Sequence, residues 1–122
     1  MALDATILRK DGRELGRRED VARALGEVFV GATFGWVPSG AEKLKISRQR
    51  GVEFPPELAK HFMAQPATFE GNWSGPDYSV QFYFSDRELI ERLEIVLRGT
   101  TTNFRAHERI LKERLDWDVT FP

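Results

Sequence analysis

The chain has 122 residues, with eighteen basic and nineteen acidic side chains, a net charge of −1 and no cysteine. Neither sign of charge dominates, so there is no basic field of the kind nucleic acids recognise, and nucleic-acid binding is not expected. The missing thiols exclude a disulfide framework and a cysteine-based zinc site and fit a reducing compartment, while the length suits one domain, residues 1–122, whose core needs no covalent staples.

In chain order, a strand comes first. Leu3, Ala5 and Ile7 alternate with Asp4, Thr6 and Leu8, the period of two that places one set on a single face of a sheet. Asp11-Gly12 is a hairpin-type turn signal before Arg13-Glu14-Leu15. From Arg18 to Phe29 the apolar Val21, Ala24, Leu25 and Val28 recur at helical spacing, which predicts a sheet-covering helix with Gly31 as its stop. Gly31 to Gly40 mixes turn formers with Phe34 and Trp36 and shows no clean period. It reads as a loop, Phe34 to Ser39 included, whose aromatics either seal the edge of the core or face a partner.

The run Lys43 to Arg50 sets lysines around Leu44 and Ile46. It reads as an edge strand or loop whose charges deter pairing with other chains, with a phosphate-binding patch as the alternative. Pro56 suits the first turn of a short helix through Glu57, Leu58, Phe62 and Met63. Ala67 to Trp73 is the next strand, and Ser74-Gly75-Pro76-Asp77 supplies a turn. Tyr78, Val80, Phe82 and Phe84 then alternate with Ser79, Gln81, Tyr83 and Ser85. After a tight Ser85 to Glu88 reversal, Leu89, Leu93, Ile95 and Leu97 alternate with Ile90, Arg92, Glu94, Val96 and Arg98, giving an antiparallel neighbour. Three strands thus make a meander.

Thr100 to Asn103 offers N-cap oxygens for a helix from about Phe104, with Phe104, Leu111 and Leu115 on one face and a favourable Glu108–Lys112 pair outside it. Trp117, Val119 and Phe121 alternate with Asp116, Asp118 and Thr120, so a closing strand follows. The fold class is therefore α+β: a mainly antiparallel sheet, formed by the C-terminal three-strand meander, then helix and final strand, covered by two main helices on one face.

Chemistry-bearing constellations are sparse. His107 has no acidic or histidine neighbour one helical turn away and reads as a half-buried packing residue; Glu57 and His61 form a pair without a third ligand. Asp116 and Asp118 share a strand face in this reading, a geometry that can hold a cation, but no third ligand joins them. No catalytic residue, metal or cofactor is expected. The candidate partner-binding residues are Gln81, Tyr83, Arg92 and Arg98 on the polar face of the meander, and Phe34 and Trp36 in the loop; Tyr and Arg are the side chains that anchor interfaces. The longest apolar runs are too short to span a bilayer and the N-terminus lacks a signal peptide's apolar segment, so the expected protein is cytoplasmic with no membrane partner.

The run Ile90 to Gly99, then a polar loop, a helix and Asp116-Trp117-Asp118, resembles the C-terminal part of small stand-alone bacterial α+β proteins. Some of these are immunity proteins that neutralise a cognate toxin. The resemblance covers about Phe69 to Phe121, carries no individual functional residue, and implies binding without turnover. The expected function is accordingly a non-catalytic interaction module with a protein partner, with self-association also allowed. The alternative is a small-ligand-binding protein or minor enzyme, using a pocket lined by Trp36, Trp73 or Tyr83 with Arg98 fixing an anion.

Overall fold

A computed structural model describes residues 2–122. In chain order the elements are β1 (Ala2–Arg9), β2 (Gly16–Arg17), α1 (Arg18–Val28), β3 (Thr33–Val37), α2 (Gly40–Gln49), α3 (Pro56–Met63), β4 (Thr68–Ser74), β5 (Tyr78–Tyr83), β6 (Leu89–Ile90), β7 (Leu93–Gly99), α4 (Phe104–Leu115) and β8 (Trp117–Thr120). Six strands form one sheet in the order β3-β4-β5-β7-β1-β8, every neighbouring pair antiparallel, and β2 pairs with β6 in a two-residue ribbon. The α+β class and the meander β4-β5-β7 are as the alternation predicts.

Alternation sorts the two faces. Ala5 and Ile7 of β1, Val80 and Phe82 of β5, Leu93, Ile95 and Leu97 of β7 and Trp117 of β8 turn to one side and are buried. Val21, Leu25 and Val28 of α1 and Phe104 and Leu111 of α4 close over them, so one core lies between the sheet and two helices. Among the described residues no charged, amide, hydroxyl-aliphatic or histidine side chain is buried in it. Among the described residues no helix is long and apolar enough to cross a membrane.

Several local expectations are overturned. The Phe34 to Ser39 segment is not a loop: Thr33 to Val37 is edge strand β3, paired with β4 from Thr33–Asn72 to Val37–Thr68. Its period is masked by Gly35, which needs no side chain on the uncovered face. Phe34 faces the core instead, against Phe82 and Phe84, and lies over Gly71, where an added Cβ would come within 2.3 Å of the ring. Lys43 to Arg50 is helical, not an edge strand or loop. Ser39 caps α2, its Oγ accepting from the Glu42 amide at 3.3 Å.

Leu89 to Arg98 is not one strand. Ile90 is buried and Leu89 exposed, the reverse of the predicted register, because the chain leaves the sheet between Phe84 and Leu93 and pairs β6 with β2. The Leu15 amide donates to the Ile90 carbonyl at 2.7 Å, which anchors this excursion over the core. Asp11-Gly12 is a turn, but it leads to β2 and not to a hairpin with β1. At α4 no side chain caps the N-terminus; a 3-10 turn, Thr101–Asn103, precedes it, and Asn103 Nδ2 donates to Asp77 Oδ2 at 2.9 Å. Glu108 pairs with Arg105 at 3.9 Å and Lys112 with Asp118 at 4.0 Å, so the expected Glu108–Lys112 pair is absent. Asp116 takes the left-handed conformation (φ 56°) that ends α4, so it does not share a strand face with Asp118; Phe121 lies beyond β8 and is exposed.

Helices α2 and α3 are inserted between β3 and β4 and pack on each other. Leu44 is buried there, outside the main core, and α3 buries no residue fully. Backbone meets backbone at the start of α2: an added Cβ at Gly40 would lie 1.6 Å from the Phe62 carbonyl oxygen, and the Gly40 amide donates to the Gln65 carbonyl at 2.9 Å. A surface cleft of about 330 Å³ opens beside Lys43, Leu44, Ile46, Ser47, Phe54 and Phe62.

Candidate functional site on the open sheet face

Because α1 and α4 cover one face, the alternate residues of the meander stand on the other. Register places Ser79 opposite Arg98, Gln81 opposite Val96 and Tyr83 opposite Glu94 across β5 and β7, while Asp4 and Thr6 of β1 lie beyond Val96 and Glu94. Gln81 is the centre. Its Oε1 accepts from Tyr83 Oη at 2.9 Å and from Arg98 Nη1 at 2.6 Å. The charge-assisted bond from Arg98 is the stronger of the two. One amide oxygen therefore fixes an aromatic ring and a guanidinium on adjacent strands, and both keep outward donor or apolar surface.

A second chain of contacts runs beside it. Arg92 Nε lies 3.3 Å from Glu94 Oε1, and Thr6 Oγ1 donates to Glu94 Oε2 at 2.9 Å. Arg92 sits just before β7, where β6 has rejoined the sheet path, and not within the strand as its alternation suggested. The exposed Arg92–Glu94 ion pair is worth little, about 0 to 1 kcal/mol.

Of the sequence-derived candidates, Gln81, Tyr83 and Arg98 come together, with Arg92 on the adjoining cluster. Phe34 and Trp36 do not join them: their register opposite Gly71 and Phe69 puts both on the helix-covered side. Phe34 is a core-edge residue. Trp36 remains 55% exposed at the sheet edge, edge-on to Phe69, with the Arg18 guanidinium 4.7 Å from its ring centroid. Arg18 Nη2 donates to the Asp86 and Arg87 carbonyls. Tyr83 and Arg98 lie on the open face while Trp36 and Trp73 lie on the other, so these four side chains do not line one pocket.

The pair formed by buried Tyr78 and half-buried His107 is an arrangement that sequence spacing does not reveal. The Tyr78 phenol bonds His107 Nδ1, and the imidazole stacks on Phe29 with centroids 4.4 Å apart, edge-on to Trp73. Burial lowers the His107 pKa below its ordinary value and pushes the Tyr78 phenol up to about 12. Both groups are therefore neutral at pH 7, the phenol donating to an unprotonated Nδ1. Their surroundings are aromatic, so the pair is a packing device as the half-buried reading of His107 expects. Among the described residues no three His, Asp or Glu side chains gather as a metal-holding group. His61 contacts Gln65 at 3.4 Å, not Glu57.

No protein-family profile, no curated protein and no solved structure matches this chain.

Proposed function

We propose that the protein is a non-catalytic interaction module of the cytoplasm that presents the open face of its sheet to a protein partner, and that the partner is a toxin it neutralises. The observation supporting this reading is the Tyr83–Gln81–Arg98 cluster, an aromatic and a guanidinium held in place by one amide oxygen on a face that no helix covers. The remaining Arg98 N–H groups and the Gln81 amide NH2 are donors, so the complementary surface supplies carboxylate or carbonyl acceptors around an apolar contact for the Tyr83 ring. The toxin assignment rests on the resemblance of the chain from about Phe69 to Phe121.

Co-purification from the source cells, identification of a stoichiometric partner and calorimetric titration test it. Tyr83→Ala/Arg98→Ala should weaken that complex by about 2 kcal/mol or more while leaving the melting temperature unchanged, because outward strand residues contribute little packing. Co-expression with the wild type should relieve the partner's toxicity, and with the double variant should not. Affinity untouched by the double variant sinks the reading.

A further inference from the structure

The two edges of the six-stranded sheet are guarded differently. Edge strand β8 carries Asp118, held by Lys112 at 4.0 Å, and a charge in an edge strand deters pairing with another chain. Edge strand β3 carries none. Thr33, Phe34, Gly35, Trp36 and Val37 are all neutral, no proline interrupts them, and among the described residues their backbone hydrogen bonds go to β4 alone. An open strand edge of this kind is completed by another extended segment.

We propose that β3 is a dimer seam, pairing antiparallel with β3 of a second copy about a two-fold axis through Gly35, so that two six-stranded sheets become continuous. The register identifies the occupant. With Gly35 on the axis, Phe34 stands opposite the partner's Trp36 and Thr33 opposite the partner's Val37, and each pair occurs twice, as an isologous contact requires. Aromatic meets aromatic on the helix-covered face, where Trp36 is 55% exposed in a single copy, and β-branched meets β-branched on the open face. Neither strand brings a charge of its own, so residues paired across the seam set no like charges opposite each other; the charge beside each strand is the Arg18 guanidinium, 4.7 Å from the Trp36 ring centroid. Nothing lies within 4 Å of the Cβ position of Gly35, and the absent side chain leaves the two backbones free to approach at the axis.

The seam lies on the sheet edge and is read on the isolated protein, so it stands or falls separately from the partner proposed for the open face. In sedimentation velocity at micromolar to submillimolar concentration the wild type should run at twice the mass of one chain. Thr33→Lys/Val37→Lys places lysine opposite lysine at both ends of the seam and should run as a folded monomer that still melts cooperatively, at a melting temperature that no longer depends on protein concentration. Thr33→Lys/Val37→Glu sets lysine opposite glutamate twice and should restore the dimer. A second measurement does not depend on those variants folding well: with no cysteine in the wild-type chain, Gly35→Cys should oxidise to a covalent dimer, since paired antiparallel positions fall within disulfide reach. A wild type monomeric throughout the range, a dimer that persists in the lysine variant, a Lys/Glu variant that stays monomeric, or a Gly35→Cys protein that does not cross-link under oxidation would each overturn the proposal.

Discussion

The sheet body and the α2–α3 insertion are both built on apolar residues, but they use them differently. In the body, Ile7, Leu25, Phe29, Phe82, Leu93, Leu97 and Leu111 are wholly buried between sheet and helices. In the insertion only Gly40 and Leu44 are buried, and Ile46, Val52, Leu58 and Met63 remain on the surface. A helix pair that packs chiefly on itself has one line of contact to bury, whereas a sheet under two helices closes a volume. The lesson is that equal secondary-structure content does not mean equal stability. The insertion should open locally well below the free energy of global unfolding.

Breaking the body should show the largest effect. Phe82 is fully buried, with Phe29 at 5.3 Å and Phe34 at 5.6 Å between ring centroids. Phe82→Ala should cost about 3 to 5 kcal/mol, the transfer energy of the ring plus the cavity left behind. Urea melts monitored by far-UV circular dichroism measure it, and a loss near 1 kcal/mol would mean that the aromatic cluster does not carry the core.

The matching change in the insertion should be much smaller. Leu44→Ala opens onto the cleft beside Ile46 and Phe62, which can relax into it. Its effect on the global melt should therefore fall well below the ~2 to 5 kcal/mol of a Leu→Ala change in a closed core. Amide exchange over residues 40–63 should accelerate while the β5 and β7 amides keep their protection. Equal loss of protection in both regions would abolish the distinction.

The smallest effect is pH dependence, which belongs to the body alone. Burial lowers the His107 pKa, so below about 6.5 the unfolded chain takes up protons that the folded chain refuses, and stability falls as pH drops from 6.5 through the lowered folded value. Burial raises the Tyr78 pKa to about 12, so the unfolded chain releases its phenolic proton first and stability falls again as pH rises from 10. Melting temperature against pH should show a plateau between these limits, and His107→Gln should flatten its acid shoulder. A shoulder unchanged in that variant would assign the acid response to another group.

The body was largely readable from the sequence, and in the insertion α3 was readable from Pro56 while α2 was not, for physical reasons. Alternation in Tyr78 to Phe84 survives because one face of β5 is closed by helices and the other is open, so the two residue sets differ in chemistry. In Lys43-Leu44-Lys45-Ile46 the same alternation is accidental, since α2 buries only Leu44 of those four. The better signal was Ser39-Gly40-Ala41-Glu42, a capping sequence in which the Glu42 amide does donate to Ser39 Oγ. In β3, Gly35 hid the period of two. At Leu89-Ile90, tertiary contact with Leu15 reversed which side chain turns inward. The members of the open-face cluster were identifiable one by one, but Gln81 as the acceptor joining Tyr83 and Arg98 follows only from their placement on adjacent strands.

The position of β1 has a consequence for how the chain is assembled. β1 sits between β7 and β8, with Ala2 opposite Arg98 and Arg9 opposite Trp117. On the ribosome its two flanks stay unoccupied until nearly all of the intervening chain has been made. The meander from β4 to β7 closes over short separations, and β1 can dock only onto that finished edge. Contacts between such distant segments slow folding, because loop-closure entropy is lost before the pairing energy is recovered. The apolar Leu3, Ala5 and Ile7 are synthesised early and buried late, an interval in which a nascent chain is open to holding factors or to misassociation.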